Sequence, residues 1–261
     1  MDLSARFAEV VSRPEAAVPL DEAALLIAAH ARPDLDVAAA QDRLDRLAHE
    51  VPAPTVDALR HHLFAEARFS GNHADYYDPR NSYLDQVLER GAGIPITLSV
   101  LMIEVGRRLE VPLAAVSMPG HFLVGDQRQP DRFVDPFDRG AVLDRSGCEA
   151  RFRAIHPPGT AFEARFLEPV PTRSVLARML ANLDAIATAR ADRTMLAWVV
   201  RLRTCLPGAS PAEHRRLASV LAASCRFGEA ADVLERLAAH TSGRAGDEDV
   251  ADARRLRARL N

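Results

Sequence analysis

Residues 91–125 read GAGIPITLSVLMIEVGRRLEVPLAAVSMPGHFLVG, and a change of period inside this stretch decides the fold. Gly91 and Gly93 break the chain, and Pro95 suits the first turn of a helix, where a missing N–H costs no hydrogen bond. Leu98, Leu101, Met102, Val105 and Leu109 then recur at helical spacing, predicting one apolar stripe on a central, buried helix. Beyond Pro112 the period shortens. LAAVSMPG (113–120), HFLVG (121–125) and RFVDPF (132–137) carry strand signals, with Gly125, Pro130 and polar residues as breakers between the last two. A helix followed by three antiparallel strands that pack on it predicts an α+β unit.

The last two of these strands form a predicted hairpin. A turn centred near Arg128 sets Val124 against Arg132, Phe122 against Val134 and His121 against Asp135. Directly opposed residues have Cβ atoms roughly 4.5–5.5 Å apart, close enough for a carboxylate to accept a hydrogen bond from an imidazole N–H. An acid so placed orients a histidine and stabilises its protonated form. A plainer reading stands beside it, in which Asp135 caps the Asp-Pro-Phe turn and His121 is a partly buried strand residue.

Toward the N-terminus the chain reads as helical. LDEAALLIAAHA follows a capping-type Asp21, and DVAAAQDRLDRLAHEV and PTVDALRHHLFAEARF repeat their apolar residues at helical spacing. SGNHADYYDPRNS interrupts as a loop, and SYLDQVLER is a short helix. His61, His62 and His73 lie near one another in sequence without metal-ligand spacing, so neither metal nor cofactor is expected. After EPVPTR the chain is rich in Ala, Leu and Arg, with helical periodicity and no strand signal. RRLASVLAASCRFGEAADVLERLAAH predicts a helical hairpin turning at Phe227-Gly228, of the kind that needs stacked neighbours to bury its apolar faces. Met195, Trp198, Val199 and Leu202 recur as a core stripe does.

Composition narrows the function. The chain has 261 residues, 48% of them hydrophobic, and a formal charge of -3, which gives no reason to expect nucleic acid or an anionic membrane as partner. All 33 basic residues other than histidine are arginine. Cys148, Cys205 and Cys225 form no CxxC pair and suggest neither a disulfide framework nor a zinc site. Cys148 follows DRSG in an expected loop, and the other two sit in predicted helices. MDLSARFAEVV lacks a signal core and no run approaches the ~18 apolar residues of a membrane span, so a cytoplasmic protein is expected.

Taken together, RFSGNHADYYDPRNSYLDQVLERGAGIPITLSVLMIEVGRRLEVPLAAVSMPGHFLVG and the following VDPF resemble the SirB family of transglutaminase-like proteins. The resemblance extends to LDEAALLIAAHARPDLDV, LARMLANLDAIA and RFGEAADVLERL, nearly the whole chain. It implies a transglutaminase-like, papain-related core over residues 1–170 and tetratricopeptide-like helices over 171–261. The wider superfamily uses a Cys-His-Asp triad, and His121 and Asp135 match its last two members. The position implied for the cysteine, at the start of the central helix, falls at Pro95 or Ile96, and neither is a nucleophile. The resemblance also places Asn81 and Tyr83 beside the site, and Thr97 and Ser99 supply the nearest hydroxyls. A non-catalytic module that binds a protein or peptide is therefore expected, with a hydrolase using the remaining His-Asp pair, through activated water or a Thr/Ser nucleophile, as the alternative.

Overall fold

A computed structural model describes residues 2–260. Its elements run α1 (Leu3–Ser12), α2 (Leu20–Ala31), α3 (Val37–Glu50), α4 (Val56–His61), β1 (Ser70–Gly71), α5 (Leu84–Arg90), β2 (Ala92–Gly93) and α6 (Pro95–Arg108). They continue with β3 (Leu113–Val116), β4 (Leu123–Asp126), β5 (Gln129–Asp135), β6 (Ala141–Leu143) and α7 (Arg145–Ile155). The last are α8 (Thr172–Ala189), α9 (Arg193–Cys205), α10 (Pro211–Ala223), α11 (Phe227–Ala238) and α12 (Arg244–Arg257). The fold is α+β, with a small antiparallel sheet and a helical C-terminal region. Contacts divide the chain into two compact units, one spanning Arg13–Met179 and the other comprising α1 and the residues from Leu180 onward.

In the first unit α6 is the central element. Leu98, Leu101, Met102 and Val105 are fully buried, and the helix touches α2, α3, α4 and α5 as well as β3 and β4. Asp21 does not cap α2, which starts one residue earlier at Leu20. It is instead a buried carboxylate in the first turn, 2.7 Å from Arg108 at the far end of α6. An apolar helix surrounded by neighbours leaves no solvent-facing side for such a charge, so a guanidinium has to neutralise it.

The sheet has four strands in the order β3-β4-β5-β6, one more than the alternation predicts, because β6 is too short to carry a periodic signal. A parallel pair, β1 with β2, lies outside it. The hairpin register also differs from expectation: Val124 pairs with Val134 and Gly125 with Phe133, while Asp126 pairs with Gln129 across a tight turn. The irregularity between Gly125 and Asp126 absorbs Pro130, Asp131 and Arg132. The resulting displacement is two residues, which preserves the face each side chain occupies. Cys148 lies not in a loop but in the first turns of α7, whose N-cap Asp144 accepts a hydrogen bond from Gly147 N at 2.7 Å.

The second unit is helical throughout its described residues. Val200, Leu217, Leu221, Ala230 and Val233 belong to its core, and Ser210 and Glu213 close a reciprocal capping box at the start of α10. The α10–α11 turn falls at Ser224–Arg226 rather than at Gly228, and Cys225 takes the left-handed conformation with φ +58°. Met195, Val199 and Leu202 are buried, whereas Trp198 stays partly exposed. Both Asp184 oxygens accept hydrogen bonds from Arg216, and Arg203 lies 3.3 Å away. Burial pushes the Asp184 carboxyl up, but the Arg216 bonds and the two guanidinium charges outweigh it and hold the group below the usual carboxylate range.

Two outcomes follow from these contacts. Leu101→Ala should lower stability by about 2–5 kcal/mol and Val142→Ala, on the exposed side of β6, by no more than about 0.5 kcal/mol, both read from equilibrium urea unfolding. Equal effects would contradict the central place of α6. For Asp184 the unfolded chain holds the proton more tightly than the folded one. Its stabilisation is thus complete above the unfolded carboxylate pKa of about 3.9 and is lost as pH falls through the lowered folded value. Asp184→Asn should flatten the acid limb of a melting-temperature-against-pH curve; an unchanged limb would show that the ion pair contributes nothing.

Candidate functional site

His121 lies just ahead of β4, after the left-handed Gly120 (φ +75°), and Asp135 ends β5. The positive φ is what makes the turn that delivers His121 favour glycine; a Cβ at residue 120 would also meet the tip of the Ile155 side chain at 2.7 Å, a contact that this exposed side chain can relieve. His121 Nε2 stands 2.9 Å from Asp135 Oδ2, and both residues are buried. The expected pairing is thus present, reached diagonally across the ladder rather than between opposed positions. Asp135 also fulfils the plainer reading. Its Oδ1 accepts from the backbone N–H groups of Phe137 (3.1 Å) and Asp138 (3.2 Å), capping the turn. Arg151 approaches Oδ2 to 3.3 Å, so the carboxylate serves the histidine, the turn and a guanidinium together.

Aromatic rings surround this pair. The Phe137 ring lies 6.2 Å from that of His121, 4.4 Å from His73 and 5.9 Å from Tyr76, all between centroids. Tyr76 in turn meets Tyr77 edge-on, and both tyrosines are exposed. The loop carrying them is pinned to the hairpin by the bond from Gly71 N to Phe137 O (3.1 Å), an approach so close that a Cβ at Gly71 would fall 2.5 Å from the Phe137 ring. Asn81 holds the loop to α5: its side-chain amide donates to Asp75 O at 2.7 Å, and its Oδ1 accepts from Asn72 at 3.1 Å and from Arg90 at 3.3 Å. Tyr83 is buried as the N-cap residue of α5. Among the described residues no group of His, Cys, Asp and Glu is placed to hold a metal ion.

At the start of α6, Pro95 and Ile96 are buried, with Ile94 as N-cap. Thr97 and Ser99 are fully enclosed and their hydroxyls make no hydrogen bond, to His121 or to any other described group. Cys148 is equally enclosed, packed with Val116, Met118, Leu123, Phe133 and Phe152. Burial, reinforced by the charges of Asp135 and Asp144, pushes its thiol up to about 12, so it is protonated at neutral pH and a poor nucleophile.

Arg178, on α8, is a member of the site that no sequence pattern flags. Its Nη1 donates to Ser117 Oγ (2.8 Å) and Met118 O (3.1 Å), the carbonyl that also accepts from His121 N (3.0 Å), and its guanidinium lies 5.9 Å above the Phe122 ring. Phe137 and Tyr76 could have been suspected from VDPF and the adjacent tyrosines. Arg178 could not, because only the tertiary fold brings it to the turn before His121.

Comparison with known proteins bears on this geometry. Residues 29–181 match the model of a family described as the transglutaminase-like superfamily. A UPF0162 protein of Xylella fastidiosa is 43% identical over 183 residues, which are 65% of each chain, so the match spans just under two thirds of that relative. A UPF0162 protein of Vibrio cholerae is 29% identical over 69% of this chain and 70% of its own, and mouse F-box only protein 21 is 35% identical over 51% of this chain and 22% of its own. No solved structure matches the chain.

Iodoacetamide applied to the native protein near pH 8 should label exposed Cys225 well before Cys148, which should react only after denaturation, as read by peptide mass spectrometry. Comparable native labelling of Cys148 would disprove its desolvated setting.

Proposed function

This chain belongs to the transglutaminase-like superfamily, and from that membership we propose that it is a binding or regulatory module without acyl-transfer activity, whose His121–Asp135 site receives a protein or peptide partner. One observation carries the reading. Where the superfamily resemblance implies a cysteine, Pro95 and Ile96 open α6, and the nearest hydroxyls, Thr97 and Ser99, are enclosed without a bond to any base. Acyl transfer requires a nucleophile that a base can reach, and that reach is missing here. The exposed Tyr76–Tyr77 pair beside the site favours recognition, since aromatic residues at a solvent boundary are common anchors for partners.

The same proposal places the chain in the SirB family, supported by the UPF0162 relatives and by the order of YYDPRNSYL, GIPITLS and PGHFLV. It reads the second unit as tetratricopeptide-like, supported by the α10–α11 hairpin with its buried Ala218, Ala230 and Ala231. A cytoplasmic setting, without a nucleic-acid or membrane partner, belongs to the proposal as well; no described helix is long and apolar enough to cross a membrane.

A second reading rests on a different detail. Asp135 takes His121 Nε2, and Nδ1 makes no hydrogen bond among the described residues, so a water held there could be deprotonated in a hydrolase-type reaction. A panel of p-nitrophenyl esters and peptide amides, with and without an added amine acceptor, separates the two. The binding reading expects no turnover above buffer and no change on His121→Ala. Turnover that vanishes in His121→Ala but survives iodoacetamide would establish the hydrolase instead.

A further inference from the structure

We propose that Arg178 makes the His121 site a receptor for a carboxylate, borne by the partner's peptide chain. The inference deepens the binding reading above and rests on it. A guanidinium has five N–H donors in a planar fork, and Arg178 commits only Nη1, to Ser117 Oγ and Met118 O. Among the described residues its Nε and Nη2 donors have no hydrogen-bond partner and no carboxylate pairs with it. Desolvation holds its pKa below the usual arginine value, and the Tyr76 phenol, itself pushed up by burial, works against that trend only once it ionises. Most half-buried arginines of this chain have carboxylates at hand: Arg32 has Asp85, Arg203 has Glu213 and Arg108 has Asp21, each within 2.8 Å.

The surroundings define what the open side of the fork would meet. The Arg178 guanidinium and the His121 backbone N–H donate to the same carbonyl, Met118 O, so Arg178 grips the turn from which the His121 side chain departs toward Asp135. Phe122 lies beneath the guanidinium, and Phe137 bridges His121 to Tyr76. Arg178 thus stands over Phe122 and within electrostatic reach of Tyr76, whose ring meets Phe137 next to His121. A planar anion accepting from Nε and Nη2 is the complement of an unpaired fork, and the exposed tyrosines suit an aromatic or aliphatic side chain next to that anion. A C-terminal carboxylate and an Asp or Glu side chain share this chemistry.

The full-length protein with 15N-labelled arginine tests the proposal. Acetyl-Gly-Phe with a free carboxylate, its C-terminal amide, acetyl-Glu-Phe-amide and inorganic phosphate are each titrated while the Arg178 Nε–H resonance is followed by NMR and heat by calorimetry. The free acid should shift that resonance and bind at least about 10-fold more tightly than the amide, and Arg178→Lys, which keeps the charge but not the fork, should weaken it by about 10- to 100-fold. Tighter binding of acetyl-Glu-Phe-amide than of the free acid would still support the proposal and assign the carboxylate to an acidic side chain. Equal affinity for acid and amide would overturn the inference while leaving peptide binding intact. An unmoved Arg178 resonance, or a preference for phosphate, would overturn it too, and because that readout uses the unsubstituted protein it decides even if the variant fails to fold. His121-dependent cleavage of the bound peptides would defeat the binding reading separately, without touching the role of Arg178.

Discussion

A single enclosed carboxylate ties this site together. Asp135 has no access to water, and a charge in that position persists only if every lone pair is answered. The two N–H groups of the Asp-Pro-Phe turn answer one oxygen, and His121 with Arg151 answers the other. The turn in turn sets Phe137, on which the loop of His73 and Tyr76 rests, and the imidazole is fixed in the orientation that leaves Nδ1 open. The order of dependence runs from charge burial to turn geometry to ring placement. A site built this way keeps its shape whether or not a nucleophile stands beside it.

The parts of the fold legible in the sequence are those whose side chains repeat. The α6 stripe, the alternation around Phe122 and Val134 and the amphipathic tail all carry a period, and period reports which face is buried. What escaped had no period to report. The hairpin register depended on how many residues the irregularity at Gly125/Asp126 would absorb, a matter of local backbone geometry that Gly125 and Pro130 announce without measuring. α7 was hidden because RSGCEARFRAI buries only Cys148 and Phe152, too few positions for an apolar face. An Asp at a helix start usually caps it, and only the tertiary approach of Arg108 reveals the use of Asp21.

Within the site the split is similar. His121 and Asp135 are legible because one lies just ahead of β4 and the other ends β5, where strand pairing converts sequence distance into spatial distance. Asn81 donates to the loop carbonyls of Asp75 and Tyr76 and accepts from Asn72 and from Arg90 of α5, which is how a short polar side chain in a turn usually acts. Arg178 illustrates the opposite case. No rule links a helix far downstream to the turn at Met118, so its presence is a property of the packed molecule alone.

The exclusive use of arginine has a chemical consequence of its own. With no lysine among its 33 cations, the chain offers no side-chain amine to acetylation, to amine-directed cross-linkers or to isopeptide formation, so it cannot be the amine donor of the bond that catalytically complete transglutaminases make. Its forked pairs, such as Arg215 on both oxygens of Asp249, also keep their charge well above the roughly pH 10.4 at which lysine would lose its own, leaving an ion-pair lattice that alkaline conditions do not discharge.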